Sequence, residues 1–128
     1  MEIYITLGAN DSAKSNAFYD TVLATINWQS HMEFPGWRAY SEHGKGEGLV
    51  LWIAKPFNQQ AATAGNGTMV GFSAKNHAEV DAFYAAAMAC GGQDEGAPGF
   101  RPYGPHWYAA YLRDPTGNKI AIVCNEAT

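Results

Sequence analysis

His31, His43, His77 and His106 are the chain's four imidazoles, and no two stand at a spacing that sets them side by side on one strand or helix. A divalent-metal site needs several imidazole, carboxylate or thiolate donors brought together, so these histidines do not make one by spacing. His77 falls in the first turn of a helix, where an exposed position is expected, while His31 and His43 fall in a connector and a turn. His106 lies in the proline-rich stretch APGFRPYGPH. A general base needs a hydrogen-bonded partner and a suitable pKa; a surface or structural histidine is the competing reading. Cys90 and Cys124 form neither a disulfide framework nor a zinc motif. Neither has a basic neighbour in sequence to activate it, so both read as buried, reduced thiols. Arg38, Arg101 and Arg113 are the candidate anion contacts. Arg113 sits at a hairpin end, and Arg101, beside Pro102 and Tyr103, either meets a ligand or braces its loop. Trp52, Trp107, Tyr108 and Tyr111 fall on strands, where an aromatic is either core or a ligand platform.

Composition narrows the partners. The 128 residues are enough for one domain with a sizeable core. A formal net charge of −4, with eight scattered Lys and Arg, offers no basic patch for nucleic acid. No apolar run approaches the roughly 18 residues of a membrane helix, and the start MEIY lacks the features of a signal peptide. A cytoplasmic location without membrane or nucleic-acid partners is expected. Four Trp, seven Tyr and six Phe must either fill the core or line something.

The elements that would position these residues are written twice. Shifted by 65 positions, YITLGANDSAKSNAFYDTVLATIN meets MVGFSAKNHAEVDAFYAAAMACGG with six identities, Phe18-Tyr19 on Phe83-Tyr84 among them. Such a repeat implies two copies of one module. In each copy an alternating strand (Glu2 to Gly8; Thr68 to Ala74) leads to a capped helix. The first is capped by Asp11 or Ser12 and runs to about Ile26; the second opens with the Asn76 and Glu79 spacing of a capping box and ends at Cys90 before Gly91-Gly92. Asn27 to Pro35 reads as a connector, Trp37–Ser41 and Leu49–Ala54 as strands. A short strand is expected at Gln93–Glu95 and a loop over Ala97–His106. Trp107–Arg113 and Asn118–Cys124 then form a hairpin closed by DPTG. The alternation gives each first strand an apolar face for a helix and a mixed face (Tyr4, Thr6; Met69, Gly71, Ser73) for a cleft.

With the phrases YITLGANDSAKSNAFYDTVLA, GNGTMVGFSAKN and FRPYGPHWYAAYLRDPTGNKIAIVC, the chain resembles the vicinal oxygen chelate superfamily, the glyoxalase, bleomycin-resistance and extradiol-dioxygenase group. The resemblance covers essentially the whole chain. It implies an α+β fold of two paired βαβββ modules whose sheets curl around a shared cleft, helices outside. Module 1 would span about residues 1–56, a linker about 57–67, and module 2 about 68–128. Relatives that use a metal carry His where Tyr4 and Met69 stand and Glu where Ala121 stands. Tyrosine, methionine and alanine are poor ligands or none for the metals concerned, so no metal and no other cofactor is expected. Trp52 occupies the first-module counterpart of Ala121. The resemblance also places the Arg101 to Trp107 loop, with Tyr103 and His106, against the cleft.

The leading expectation is a metal-free protein that binds, and sequesters as drug-binding resistance proteins do, a small apolar or aromatic molecule. Its site would comprise Tyr4, Trp52, Met69, Ala121 and the loop residues Arg101, Tyr103, His106 and Trp107. The alternative is a glyoxalase-type lyase or isomerase acting on a thiol conjugate, with Tyr4, Tyr103 or His106 moving the proton. A third is a homodimeric scaffold whose cleft is vestigial; a homodimer is expected on any of these readings, since exposed sheet edges favour association.

Overall fold

The structure is a computed structural model that describes residues 1–127. The first half contains β1 (Ile3–Gly8), α1 (Ser12–Ala24), β2 (Trp28–Phe34), β3 (Trp37–Glu42) and β4 (Leu49–Ala54). The second contains β5 (Met69–Ser73), α2 (His77–Ala89), β6 (Gln93–Phe100), β7 (Tyr108–Arg113) and β8 (Lys119–Cys124). The architecture is the expected α+β pair of βαβββ modules. Each module is a four-stranded sheet, ordered β1-β4-β3-β2 and β5-β8-β7-β6. In both, the first strand runs parallel to the last and the other pairs are antiparallel. The helices are 13 residues each, and their ends are related by the same 65-residue shift that relates their sequences.

Local chemistry sets the helix ends. Asp11 caps α1 by accepting from the Lys14 amide at 3.1 Å, and Asn76 caps α2 by accepting from the Glu79 amide at 2.8 Å. The Glu79 carboxylate reaches back to the amide of Lys75, one residue before the cap, at 2.8 Å. Helix α1 stops two residues short of Ile26, which stays buried beyond the cap. At the end of α2, Gly91 takes φ 93° and the Gly92 amide bonds to Ala87 O at 2.8 Å, the wrap-around that satisfies the last carbonyls.

Two stretches read as connections are strands. Asn27 to Pro35 contains β2, and β6 runs on from Gln93 to Phe100 through residues read as loop. Both are edge strands, and both are irregular. The register of β2 on β3 shifts between Ser30 and Met32, and that of β6 on β7 shifts on either side of Gly96. A bulge breaks the two-residue alternation that marks a strand in sequence, and an edge tolerates Pro98. The pattern was lost for that reason.

Alternation then sorts each sheet into two faces. One face packs on the helices in a single core: Leu7, Leu51 and Ile53 from the first sheet, Phe72, Leu112 and Ile120 from the second, closed by Phe18 and Phe83. The hairpin turn DPTGN joins the modules. Asp114 is 2 % exposed; its Oδ1 accepts from the amides of Thr116, Gly117 and Asn118, each at 2.9 Å. Its Oδ2 accepts from Tyr19 OH at 2.7 Å and from Asn118 Nδ2 at 2.8 Å, and Asn118 Nδ2 also donates to Gly8 O at 2.8 Å. Burial, with the Asp114 carboxylate beside it, pushes the Tyr19 phenol well above its ordinary pKa. The most recognisable motif in the sequence is therefore a clamp between helix α1 and the second hairpin.

Candidate functional site

The faces turned away from the helices are where ligands could bind, and they differ. On the first sheet, Tyr4 is 61 % exposed and Trp52 is half-buried. Trp52 stacks on Phe34 at 6.2 Å between ring centroids and meets Trp37 edge-on at 6.1 Å. This face is an aromatic plateau. At one end, Thr6, Trp37 and Ala54 border a hollow of about 510 Å³ that Pro56 and the linker residues Phe57 and Ala62 complete. At the other, Ser41 Oγ lies 2.9 Å from His31 Nδ1 and accepts from the Gly46 amide at 2.8 Å. A Ser–His contact is the geometry of an activated nucleophile, but Ser41 has 0 % exposure. A hydroxyl that no substrate can reach locks the β2 bulge instead.

On the second sheet the same face is hollowed. Met69, Trp107, Tyr111 and Asn125 wall a depression of about 340 Å³ whose floor includes Gly71 and Ala121. Gly71 pairs with Ala121 across β5 and β8, as Thr6 pairs with Trp52 across β1 and β4. The equivalence of Trp52 and Ala121 thus holds in the ladder. Trp107 Nε1 donates to Tyr111 OH at 3.1 Å, fixing one wall. The Arg101 guanidinium lies 5.5 Å from the centroid of the Tyr111 ring, and Lys119 Nζ lies 5.9 Å from it. Beyond Met69, a wider recess of about 730 Å³ is bordered by linker residues, Arg113 and Lys119.

The expected site residues therefore divide. Tyr4 and Trp52 stand on the first sheet, and neither lines the depressions described above. Met69, Trp107 and Ala121 come together on the second sheet, with Arg101 against the adjoining Tyr111. Tyr103 is 67 % exposed and its ring stands perpendicular to that of Trp107, with 6.1 Å between centroids. His106 is exposed and has no side-chain hydrogen bond among the described residues. The inward face of β7 is also decided: Trp107 and Tyr111 border the hollow, while Tyr108 packs on the core side and donates to Asp81 of α2 at 2.7 Å. That carboxylate raises the Tyr108 pKa, so it is not a ready proton donor. His77 is not a free surface histidine; its ring stacks on Tyr108 at 4.0 Å. Cys124 is buried as expected, whereas Cys90 is only partly so. Arg113 is held by Glu95 at 2.6 Å, and Arg38 is spent on Asp20 and Glu33.

Sequence reasoning placed Ser73 on the cleft-facing side of its strand, passed over Lys119 and Asn125, and left Tyr111 open between core and platform. The register rule could have found them: residues two apart from Ala121 and Met69 share their face. A divalent metal does not fit this surface. Tyr4, Met69, Trp52 and Ala121 supply a phenol, a thioether, an indole and a methyl group, which are not the donors such ions take. Among the described residues no three His, Cys, Asp or Glu side chains gather at a spacing that could hold an ion.

The comparisons with known proteins follow the same fold. Residues 3–122 match the sequence profile of the Glyoxalase/Bleomycin resistance protein/Dioxygenase superfamily. A crystal structure of a glyoxalase/bleomycin resistance protein from Albidiferax ferrireducens is similar at 36 % identity and TM-score 0.85, over 98 % of both chains. A glyoxalase-related enzyme from Fulvimarina pelagi is similar at 25 % identity and TM-score 0.78, over 98 % of this chain and 88 % of its own. A lactoylglutathione lyase from Agrobacterium tumefaciens, at 22 % identity and TM-score 0.67 over 97 % and 92 %, shares the fold. No protein with a curated description matches. With the repeat, the paired sheets and a profile match over nearly its full length, the chain belongs to the Glyoxalase/Bleomycin resistance protein/Dioxygenase superfamily.

Proposed function

We propose that this protein is a metal-free member of the superfamily that binds, and sequesters, a small apolar or aromatic molecule on the open face of its second sheet. The observation that carries the reading is the depression floored by Gly71 and Ala121. It lies where relatives with a metal carry a donor, and this chain has instead a small apolar floor between Met69, Trp107 and Tyr111. Apolar concavities with a few placed polar groups are the usual form of small-molecule sites. A homodimer completes the reading. The first sheet's face exposes Tyr4, Met32 and Phe34, each 48 % or more exposed, and a second copy laying this plateau over the hollow would add Tyr4 and Trp52 to the site. Tyr103 and His106 would then close one end. Free Cys90 and Cys124 suit a reducing compartment, the cytoplasm.

Titration calorimetry with a neutral aromatic probe such as 2-naphthol tests the reading. One molecule bound per chain, lost when Ala121→Trp fills the hollow, supports it; undiminished binding in that variant overturns it. A monomer in light scattering at high concentration removes the dimer.

The alternative, a lyase or isomerase acting on a thiol conjugate, needs Tyr4, Tyr103 or His106 as the proton carrier. All three are exposed, and none has a hydrogen-bonded side-chain partner among the described residues to tune it. The sequestering reading is therefore preferred.

A further inference from the structure

We propose that the hollow on the second sheet selects an aromatic carboxylate, with Arg101 and Lys119, both braced on Tyr111, receiving the anionic group. This deepens the reading above and rests on it. The chain is acidic overall, yet this face carries two cations that no carboxylate pairs among the described residues. The third cation, Arg113, is already neutralised by Glu95. The equivalent position to Lys119 on the first sheet is Val50, since Met69 pairs with Lys119 as Tyr4 pairs with Val50. The charge is thus particular to the hollowed face.

Arg101 is seated. Its Nη2 donates to Ala97 O at 2.8 Å, and its guanidinium lies beside Gly96 and Gly99 of β6. A Cβ on Gly96 would stand 3.0 Å from Nη2, and one on Gly99 would stand 3.1 Å from Nη1. Both positions are tighter than ordinary contact, so the two glycines keep room for the guanidinium beside Tyr111. Among the described residues the Arg101 side chain makes no other hydrogen bond, and a planar cation resting on an aromatic ring with donors to spare is a ready receptor for a carboxylate. Lys119 supplies a second charge on the Met69 side, at the border of the wider recess. A ligand lying on Gly71 and Ala121 beside Tyr111 would bring an acidic substituent toward these two groups.

Calorimetry with 2-naphthoate and 2-naphthamide, equal in shape and different in charge, tests this on the full chain. The carboxylate is expected to bind about tenfold more tightly than the amide, with the preference shrinking as salt rises. Arg101→Met and Lys119→Met should each lose much of the carboxylate-over-amide preference. Gly99→Ala, which keeps every charge but crowds the guanidinium, should reduce it too, and Lys119→Arg should retain it. Equal binding of the two probes by the unaltered protein overturns the carboxylate assignment and leaves the hollow standing. Binding of neither overturns both this inference and the function it rests on. If the methionine variants weaken self-association and leave the preference intact, the cations belong to a contact between copies, and the inference falls.

Discussion

The two modules share a topology, a helix length and a core pattern, yet their open faces have been filled in opposite ways. At three equivalent ladder positions the first sheet has Trp37, Ala39 and Trp52 where the second has Ala109, Tyr111 and Ala121. Large and small side chains are exchanged at each. The first face becomes an aromatic plateau, while the second becomes a hollow with a tyrosine standing at its edge and two cations against that tyrosine. On the core side the equivalents stay alike, with Leu51 and Ile53 answering Ile120 and Ile122. The core constrains volume on both halves equally. The open faces carry no such constraint, and they are where the halves could diverge toward a task.

The largest effect should come from breaking what holds the two halves in register. Asp114→Ala removes the acceptor for five donors in a buried site and should cost roughly 3–5 kcal/mol, read as a lowered denaturant midpoint. Asp114→Asn should cost less. Next, exchanging the equivalent residues probes the comparison itself. Ala121→Trp gives the hollow the first module's residue and should weaken aromatic binding by more than about tenfold, roughly 1.4 kcal/mol, without loss of fold. Trp52→Ala removes a platform residue and should weaken both binding and self-association by a smaller factor; unchanged binding there would take the first sheet out of the site.

Gly92→Ala probes the helix ends. A Cβ there would come within 2.8 Å of Ala87 O and 3.1 Å of the Phe18 ring, so a loss of about 1–3 kcal/mol is expected from overpacking. Its repeat partner Asn27 sits at φ 63°, and Asn27→Gly should be neutral or slightly stabilising. The smallest effect is in alkali. Burial and the Asp114 carboxylate raise Tyr19, and burial and the hydrogen bond donated to the Asp20 carboxylate raise Tyr40, above the ordinary tyrosine value. A group whose folded pKa is raised binds its proton more tightly in the native state. Its contribution is full below the unfolded value of about 10 and is lost as pH rises above it. Stability should fall above about pH 10, and Tyr19→Phe should flatten that slope.

The modular plan was legible because it rests on periodicity. The repeat, the Asp11 and Asn76 caps, and the alternation in Glu2–Gly8 and Thr68–Ala74 are local patterns, and each is present in the fold. β2 and the far half of β6 were not legible, since bulges at Ser30–Met32 and around Gly96 reset the alternation. The site was legible in part. Met69 and Ala121 could be placed on one face by resemblance and repeat, whereas the face taken by Trp107 was left open. Lys119 and Tyr111 matter through what lies across the sheet from them, and the contact of Arg101 with Tyr111 depends on two glycines whose role is the absence of a side chain. DPTGN was legible as a turn, but its use as a clamp on Tyr19 depends on a partner 95 positions away.

The account turns on an apolar floor having taken the place of a metal donor set. Elemental analysis of the purified, untagged protein, followed by thermal shift with nickel, zinc, manganese and iron(II), tests that most directly. Far less than one ion per chain and no shift with any of the four is the result the account predicts. A stoichiometric ion, or a specific rise in melting temperature of the kind tight binding produces, would contradict it and make a metal-dependent lyase the reading to pursue.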